Sequence, residues 1–155
     1  MLIERTAEQE ILRLKARYFR CLDTKDIDGL DEIFMDDAII DVRGSTTGGG
    51  EGSPSVEGLD DGIMSGRQLK SFFRSSIADL VTVHHGHMPE IEVHSESSAS
   101  GIWALEDRIW FPAGSPYKMM HGWGHYHDTY VRHEGRWRVS AMRISRLKTI
   151  NEKWD

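Results

Sequence analysis

Apolar side chains recur every three or four residues through the first third of the chain and every second residue through much of the remainder. These are the periods of an amphipathic helix and of a half-buried strand. Ile11, Leu14, Tyr18, Cys21 and Leu22 form one helical stripe, preceded by Thr6 and Gln9 at the spacing of a capping box. Thr24-Lys25-Asp26 interrupts it, and Ile27, Leu30, Ile33 and Phe34 resume it, which predicts a second, shorter helix packed on the first as a hairpin. Residues 39–42 read as a strand. Residues 44–58 are rich in Gly, Ser and Thr and carry little apolar surface, so they read as a flexible surface loop. Ser65 and Gln68 repeat the capping box ahead of Leu69, Phe72, Phe73, Ile77 and Leu80, predicting a third helix. Strands are expected at 82–94, 100–111, 118–132 and 137–146, with His133-Glu134-Gly135 as a hairpin turn between the last two.

Three helices with one strand among them, followed by long antiparallel strands, define an α+β class: a curved sheet with helices on one face. A cavity between the two layers is the natural ligand position. The chain has 155 residues, the size of a single domain spanning 1–155. Its 19 Lys and Arg against 25 Asp and Glu leave a net charge of −6, which argues against a nucleic-acid partner. The single cysteine, Cys21, excludes an intrachain disulfide and fits a reducing compartment. The N-terminus has no apolar signal core, and no run approaches the roughly 18 apolar residues of a membrane helix. A soluble, cytoplasmic protein without a membrane partner is expected.

Candidate chemistry falls in four places. Asp23 follows the first stripe, where the helix macrodipole disfavours a carboxylate. It is either a solvated turn residue capping the next element, a role open to Asp26 as well, or an acid held there for chemistry. Tyr18 lies on the stripe itself, an aromatic whose hydroxyl can reach the core's edge. In His84-His85-Gly86-His87, adjacent strand residues face opposite sides, so one of His84 and His85 faces the cavity. An imidazole with an unperturbed pKa of about 6.5 can act as a base near neutrality, and a carboxylate on one ring nitrogen fixes its tautomer. Asp107 shares a strand face with Trp103, Leu105, Ile109 and Phe111 and so needs a partner, Arg143 or Arg146. His125 and His127 have a chelating spacing near His121, but a metal centre needs three or four convergent ligands. They read as surface or interface histidines, and no metal is expected.

Taken together, Arg17-Tyr18-Phe19-Arg20-Cys21-Leu22-Asp23, the stretch LDEIFMDDA from Leu30, His84-His85-Gly86, and Gly124-His125-Tyr126-His127-Asp128-Thr129-Tyr130 leading to Gly135-Arg136-Trp137 are familiar in their order and spacing. The chain resembles the SnoaL-like branch of the nuclear-transport-factor-2-like superfamily, from Arg17 to about Arg146. The resemblance implies a cystatin-like cone. Three enzymes of that superfamily, scytalone dehydratase, bile acid 7α-dehydratase and hexachlorocyclohexane dehydrochlorinase, share a His–Asp dyad and remove a proton and a leaving group without metal or organic cofactor. By resemblance the dyad falls on His84 and Asp23, with Tyr18 beside it. Asp107 and Arg146 would hold the substrate, and Arg143 has the opposite strand parity.

The function expected is a cofactor-independent lyase, dehydratase-like, acting on a small hydrophobic cyclic substrate. Tyr126 and apolar walls from Trp103, Leu105, Phe72 and Trp123 would line the pocket. The alternatives are a polyketide cyclase or ketosteroid-isomerase-like enzyme, and a non-catalytic ligand-binding or assembly module. The last would resemble the β subunit of a ring-hydroxylating dioxygenase, with Trp110, Trp123, Tyr130 and Trp137 available for an interface. A homodimer or homotrimer is expected for the enzyme.

Overall fold

The computed structural model describes residues 5–46 and 62–155. Helix α1 (Ala7–Thr24) begins as the capping box requires. The Thr6 hydroxyl accepts the Gln9 N–H and the Gln9 amide oxygen accepts the Thr6 N–H. It ends on Lys25, whose left-handed φ of 62° turns the chain back. Its buried face carries Ile11, Leu14, Lys15, Tyr18, Cys21 and Leu22. Each large apolar side chain on such a face contributes roughly 1.5–3 kcal/mol by leaving water.

The expected second helix and its hairpin do not form. Ile27, Leu30 and Ile33 recur at intervals of three, which is the period of a 3-10 helix, and a 3-10 turn occupies Asp28–Glu32. Phe34 instead opens strand β1 (Phe34–Asp41), which buries Phe34, Ala38 and Ile40 and lies parallel to the last strand. Its pairing shifts between Phe34 and Ile39, and that irregularity hides the strand's alternation in the sequence. The short helix α2 (Arg43–Thr46) takes the start of the stretch expected to be a loop; residues 47–58 of that stretch lie outside the described residues.

Strand β2 (Ile63–Ser65) leads through a capping box on Ser65 and Gln68 into α3 (Gly66–Ser76), which stops short of the expected Leu80. Four long strands follow: β3 (Val81–Val93), β4 (Ser98–Trp110), β5 (Met119–His133) and β6 (Arg136–Glu152). Glu134 and Gly135, with φ of 50° and 77°, join β5 to β6 in the two-residue turn that matches strand twist.

Among the described residues the strands form one sheet in the order β2-β1-β6-β5-β4-β3, antiparallel except for β1 against β6. Register shifts at His87/Glu90, Trp123/Gly124 and Thr129/Tyr130 bend the long strands. The curved sheet wraps α1, and the core lies between them. The architecture is the α+β cone, with two long helices rather than three among the described residues. Parity decides two further expectations. Trp123 faces outward and packs against His121, the tilted rings 3.9 Å apart between centroids, so it is no wall of the cone. Tyr130 and Trp137 are core residues, 1% and 5% exposed, rather than an interface. Among the described residues no helix is long and apolar enough to cross a membrane.

Candidate functional site

The last turn of α1 meets the inner face of β3. Strand parity turns His84 inward, its side chain 8% exposed, while His85 faces out. Asp23 accepts two bonds from this residue: the His84 backbone N–H at 2.9 Å on Oδ2 and the ring, with Nδ1 at 2.7 Å from Oδ1. Thr82 Oγ1 donates to Asp23 Oδ1 at 2.9 Å, and Lys25 Nζ donates to Thr82 Oγ1 at 2.8 Å. Burial alone would raise the Asp23 carboxyl. The bonds from His84 and Thr82, with the charge of His84, outweigh it and hold the pKa below the ordinary aspartate value. These donors also offset the unfavourable helix terminus. An aspartate on Nδ1 makes that nitrogen the protonated one and leaves Nε2 as the lone-pair atom. Phe19 stacks on the His84 ring at 6.5 Å, and it fits there because residue 86 is glycine: a Cβ would come within 2.6 Å of the Phe19 ring.

His84 Nε2 points toward the second carboxylate, 4.0 Å from Asp107 Oδ2. Asp107 receives both terminal nitrogens of Arg146, at 2.8 and 2.7 Å, and both side chains are 3% exposed. Arg143, the other candidate partner, is exposed and pairs in register with His127. Arg146 Nε donates to the Ser45 carbonyl at 3.3 Å, tying β6 to α2. The pair crosses β5 over Gly122, where a Cβ would stand 2.5 Å from Arg146 Nη1 and 2.7 Å from Asp107 Oδ1.

Tyr18 and Tyr126 are buried nearby, 3% and 1% exposed, their rings edge-to-face at 6.0 Å. Burial, reinforced by nearby carboxylates, raises both phenols, so each is a neutral hydroxyl. Trp103 and Leu105 are buried on the same sheet face, and Trp103 Nε1 donates to the Tyr130 hydroxyl at 2.9 Å. Phe72 packs against the core from α3.

One buried ion pair was not anticipated from the sequence. Lys15 Nζ lies 2.7 Å from Asp128 Oδ2, with both side chains at most 1% exposed. The ammonium sits 3.7 Å from the centre of the Tyr126 ring, and the Tyr130 hydroxyl donates to Asp128 at 2.8 Å. Burial lowers the Lys15 pKa and attraction to Asp128 opposes this only in part. The signal was present: Lys15 is four residues after Ile11 and three before Tyr18, on the apolar stripe. His121, His125 and His127 all belong to the outer sheet face. A cleft of about 490 Å³ is bordered by Glu90, Glu92, Ser100, Ile102, His127 and Thr129, with Asp128 also in its lining, and none of Asp23, His84, Asp107 or Arg146 belongs to it.

A cone-shaped sheet thus wraps a long helix, with Asp23, His84, Asp107 and Arg146 turned inward, and this α+β cone is a fold shared with solved structures. The SnoaL-like domain model matches residues 4–143, and the chain belongs to that family. Solved structures agree. The Kfla4162 protein from Kribbella flavida superposes with a TM-score of 0.75 at 21% identity, covering 92% of each chain. A type 2 hexachlorocyclohexane dehydrochlorinase, LinA, gives 0.72 at 18% identity over 94% of this chain and 88% of its own. A Novosphingobium aromaticivorans protein provisionally described as a scytalone dehydratase gives 0.74 at 18% identity over 96% and 89%. At these identities the likeness is one of fold.

Proposed function

We propose that the protein is a lyase that uses no cofactor and eliminates water or a halide from a hydrophobic, cyclic substrate. The observation that carries this reading is the Asp23–His84 contact, with the free ring nitrogen aimed at the buried Asp107–Arg146 pair. His84 Nε2 takes a proton from carbon, the C–H electron pair becomes the new double bond, and the leaving group departs with its bonding pair. Asp23 holds the imidazole in the required tautomer and balances the imidazolium charge. The protonated ring then returns its proton to a departing hydroxide as water. Tyr18, a neutral donor, hydrogen-bonds a developing oxyanion or the leaving group, and Asp107 with Arg146 orients the polar end of the substrate. Trp103, Leu105 and Phe72 select an apolar ring and keep the dielectric low, which strengthens each electrostatic interaction.

Two of the structurally similar proteins carry names of dehydration and dehydrochlorination, which supports the reaction class. The test is a panel of cyclic compounds with a hydroxyl or halide β to an acidic C–H, followed by mass spectrometry for loss of water or HX. A positioned base contributes about 10²–10⁴-fold. His84→Ala is therefore expected to lose at least about 10²-fold in turnover, and Asp23→Asn somewhat less. Equal rates in both variants and the parent would sink the assignment, as would tight binding of the panel without any turnover.

A further inference from the structure

The outer face of the sheet gathers a second set of polar groups, independent of the reading above. His85 and His87 stand two residues apart on β3, both exposed and both directed away from the cone. The direct partner of His85 across β4 is Glu106, and the partner of His87 is Ala104, too small to crowd it. One ligand atom from each of His85, His87 and Glu106 lies within 4.8 Å of the others, and His87 Nε2 is 3.7 Å from Glu106 Oε2. The other oxygen of Glu106 is already held: His121 Nε2 approaches Oε1 to 2.7 Å, and Trp123 packs against that ring at a tilt. Arg108 Nε is 3.5 Å from the same His121 nitrogen. The His121 hydrogen bond, opposed by burial and helped by the charges of His121, Arg108 and His87, holds the Glu106 pKa below the ordinary glutamate value.

We propose that His85, His87 and Glu106 bind one borderline divalent cation of the Zn²⁺, Co²⁺ or Ni²⁺ type on the outer face of β3 and β4. Two imidazoles and one carboxylate suit these ions, whereas Mg²⁺ and Ca²⁺ require oxygen donors. Ligand bonds of about 2.0–2.2 Å in tetrahedral geometry put donor atoms ~3.4 Å apart. The exposed imidazoles reach this by rotating about their side-chain torsions, while Glu106 stays fixed. His121 is the kind of outer partner that orients a ligating carboxylate. Three protein ligands leave a position for water. Two ligands come from β3 and one from β4, so the ion staples the strand pair on the side of the sheet opposite His84. The sequence did not reveal the set, because only the register brings Glu106 opposite His85.

The test uses the purified, chelator-treated protein titrated with Co²⁺, read by visible ligand-field absorption and calorimetry. One Co²⁺ per chain is expected, displaced by Zn²⁺, and Zn²⁺ should raise the thermal midpoint. His87→Ala and Glu106→Gln are expected to weaken Co²⁺ binding at least tenfold, and His121→Ala by about 10-fold or more. His125→Ala, on the same face but outside the set, should leave it unchanged. Circular dichroism checks that each variant is folded. The proposal is overturned if a His85→Ala/His87→Ala double variant binds Co²⁺ as the parent does, if the parent binds none, or if His125→Ala alone abolishes binding.

Discussion

Asp23 is a carboxylate placed at the unfavourable end of a helix and kept ionised by what surrounds it. The backbone and ring of His84 and the Thr82 hydroxyl converge on its two oxygens. Its folded pKa therefore lies below the ordinary aspartate value of about 3.9. Between the two values the unfolded chain binds more protons, so stability rises with pH there. The contribution is fully present above the ordinary value and is lost as pH falls through the folded one. Urea unfolding from pH 7 down to pH 3 should show the parent losing stability more steeply below about pH 4 than Asp23→Asn, which has no proton to gain. Parallel slopes for both proteins would mean that the carboxylate is not held by these donors in solution. The sequence left two roles open for this residue, because nothing local distinguishes a capping aspartate from one gripped by a strand 61 positions later. Likewise, the HHG stretch says that one histidine faces inward, and only the register of β3 says which.

The Asp107–Arg146 pair belongs to three strands rather than two. Asp107 on β4 and Arg146 on β6 meet over Gly122 on β5, and the absence of a side chain there makes the bidentate contact possible. Removing one partner from a buried pair costs about 3–5 kcal/mol, because the other charge is left uncompensated. Arg146→Met is expected to fall in that range in denaturant unfolding. Gly122→Val should also destabilise, although it removes no charge, since its Cβ would occupy the space of the guanidinium. If Gly122→Val unfolds at the parent's denaturant midpoint, the strand can yield and the glycine is incidental. At this scale the sequence was readable wherever a period was sustained: both capping boxes, α1 and the four long strands. It misled at residues 27–34, where a three-residue interval passed for a helical one and an irregular strand concealed its alternation.

For the molecule as a whole, the cone was legible because each long amphipathic element has only one face to bury and the connections among the four long strands are short. What was not legible is how the helix is fixed inside the sheet. Position on the apolar stripe points Lys15 inward but does not name its partner, and its ammonium is sealed among Asp128, Tyr126 and Tyr18, with Asp128 continuing through Tyr130 to Trp103. This chain joins α1 to β4 and β5 directly behind Tyr18, so it sets how deeply the helix, and with it Asp23, sits in the cone. Lys15→Met keeps the length of the side chain and removes the charge. It is expected to cost about 3–5 kcal/mol because Asp128 is left buried and unpaired. Asp128→Asn removes the opposite charge while preserving a partner for Tyr130. In the double variant neither charge remains, so its loss should be smaller than the sum of the single losses, with a coupling of about 0.5–3 kcal/mol. Strict additivity in denaturant unfolding would mean that helix and sheet are joined by apolar packing alone. A coupling in that range identifies the pair as the clamp between them.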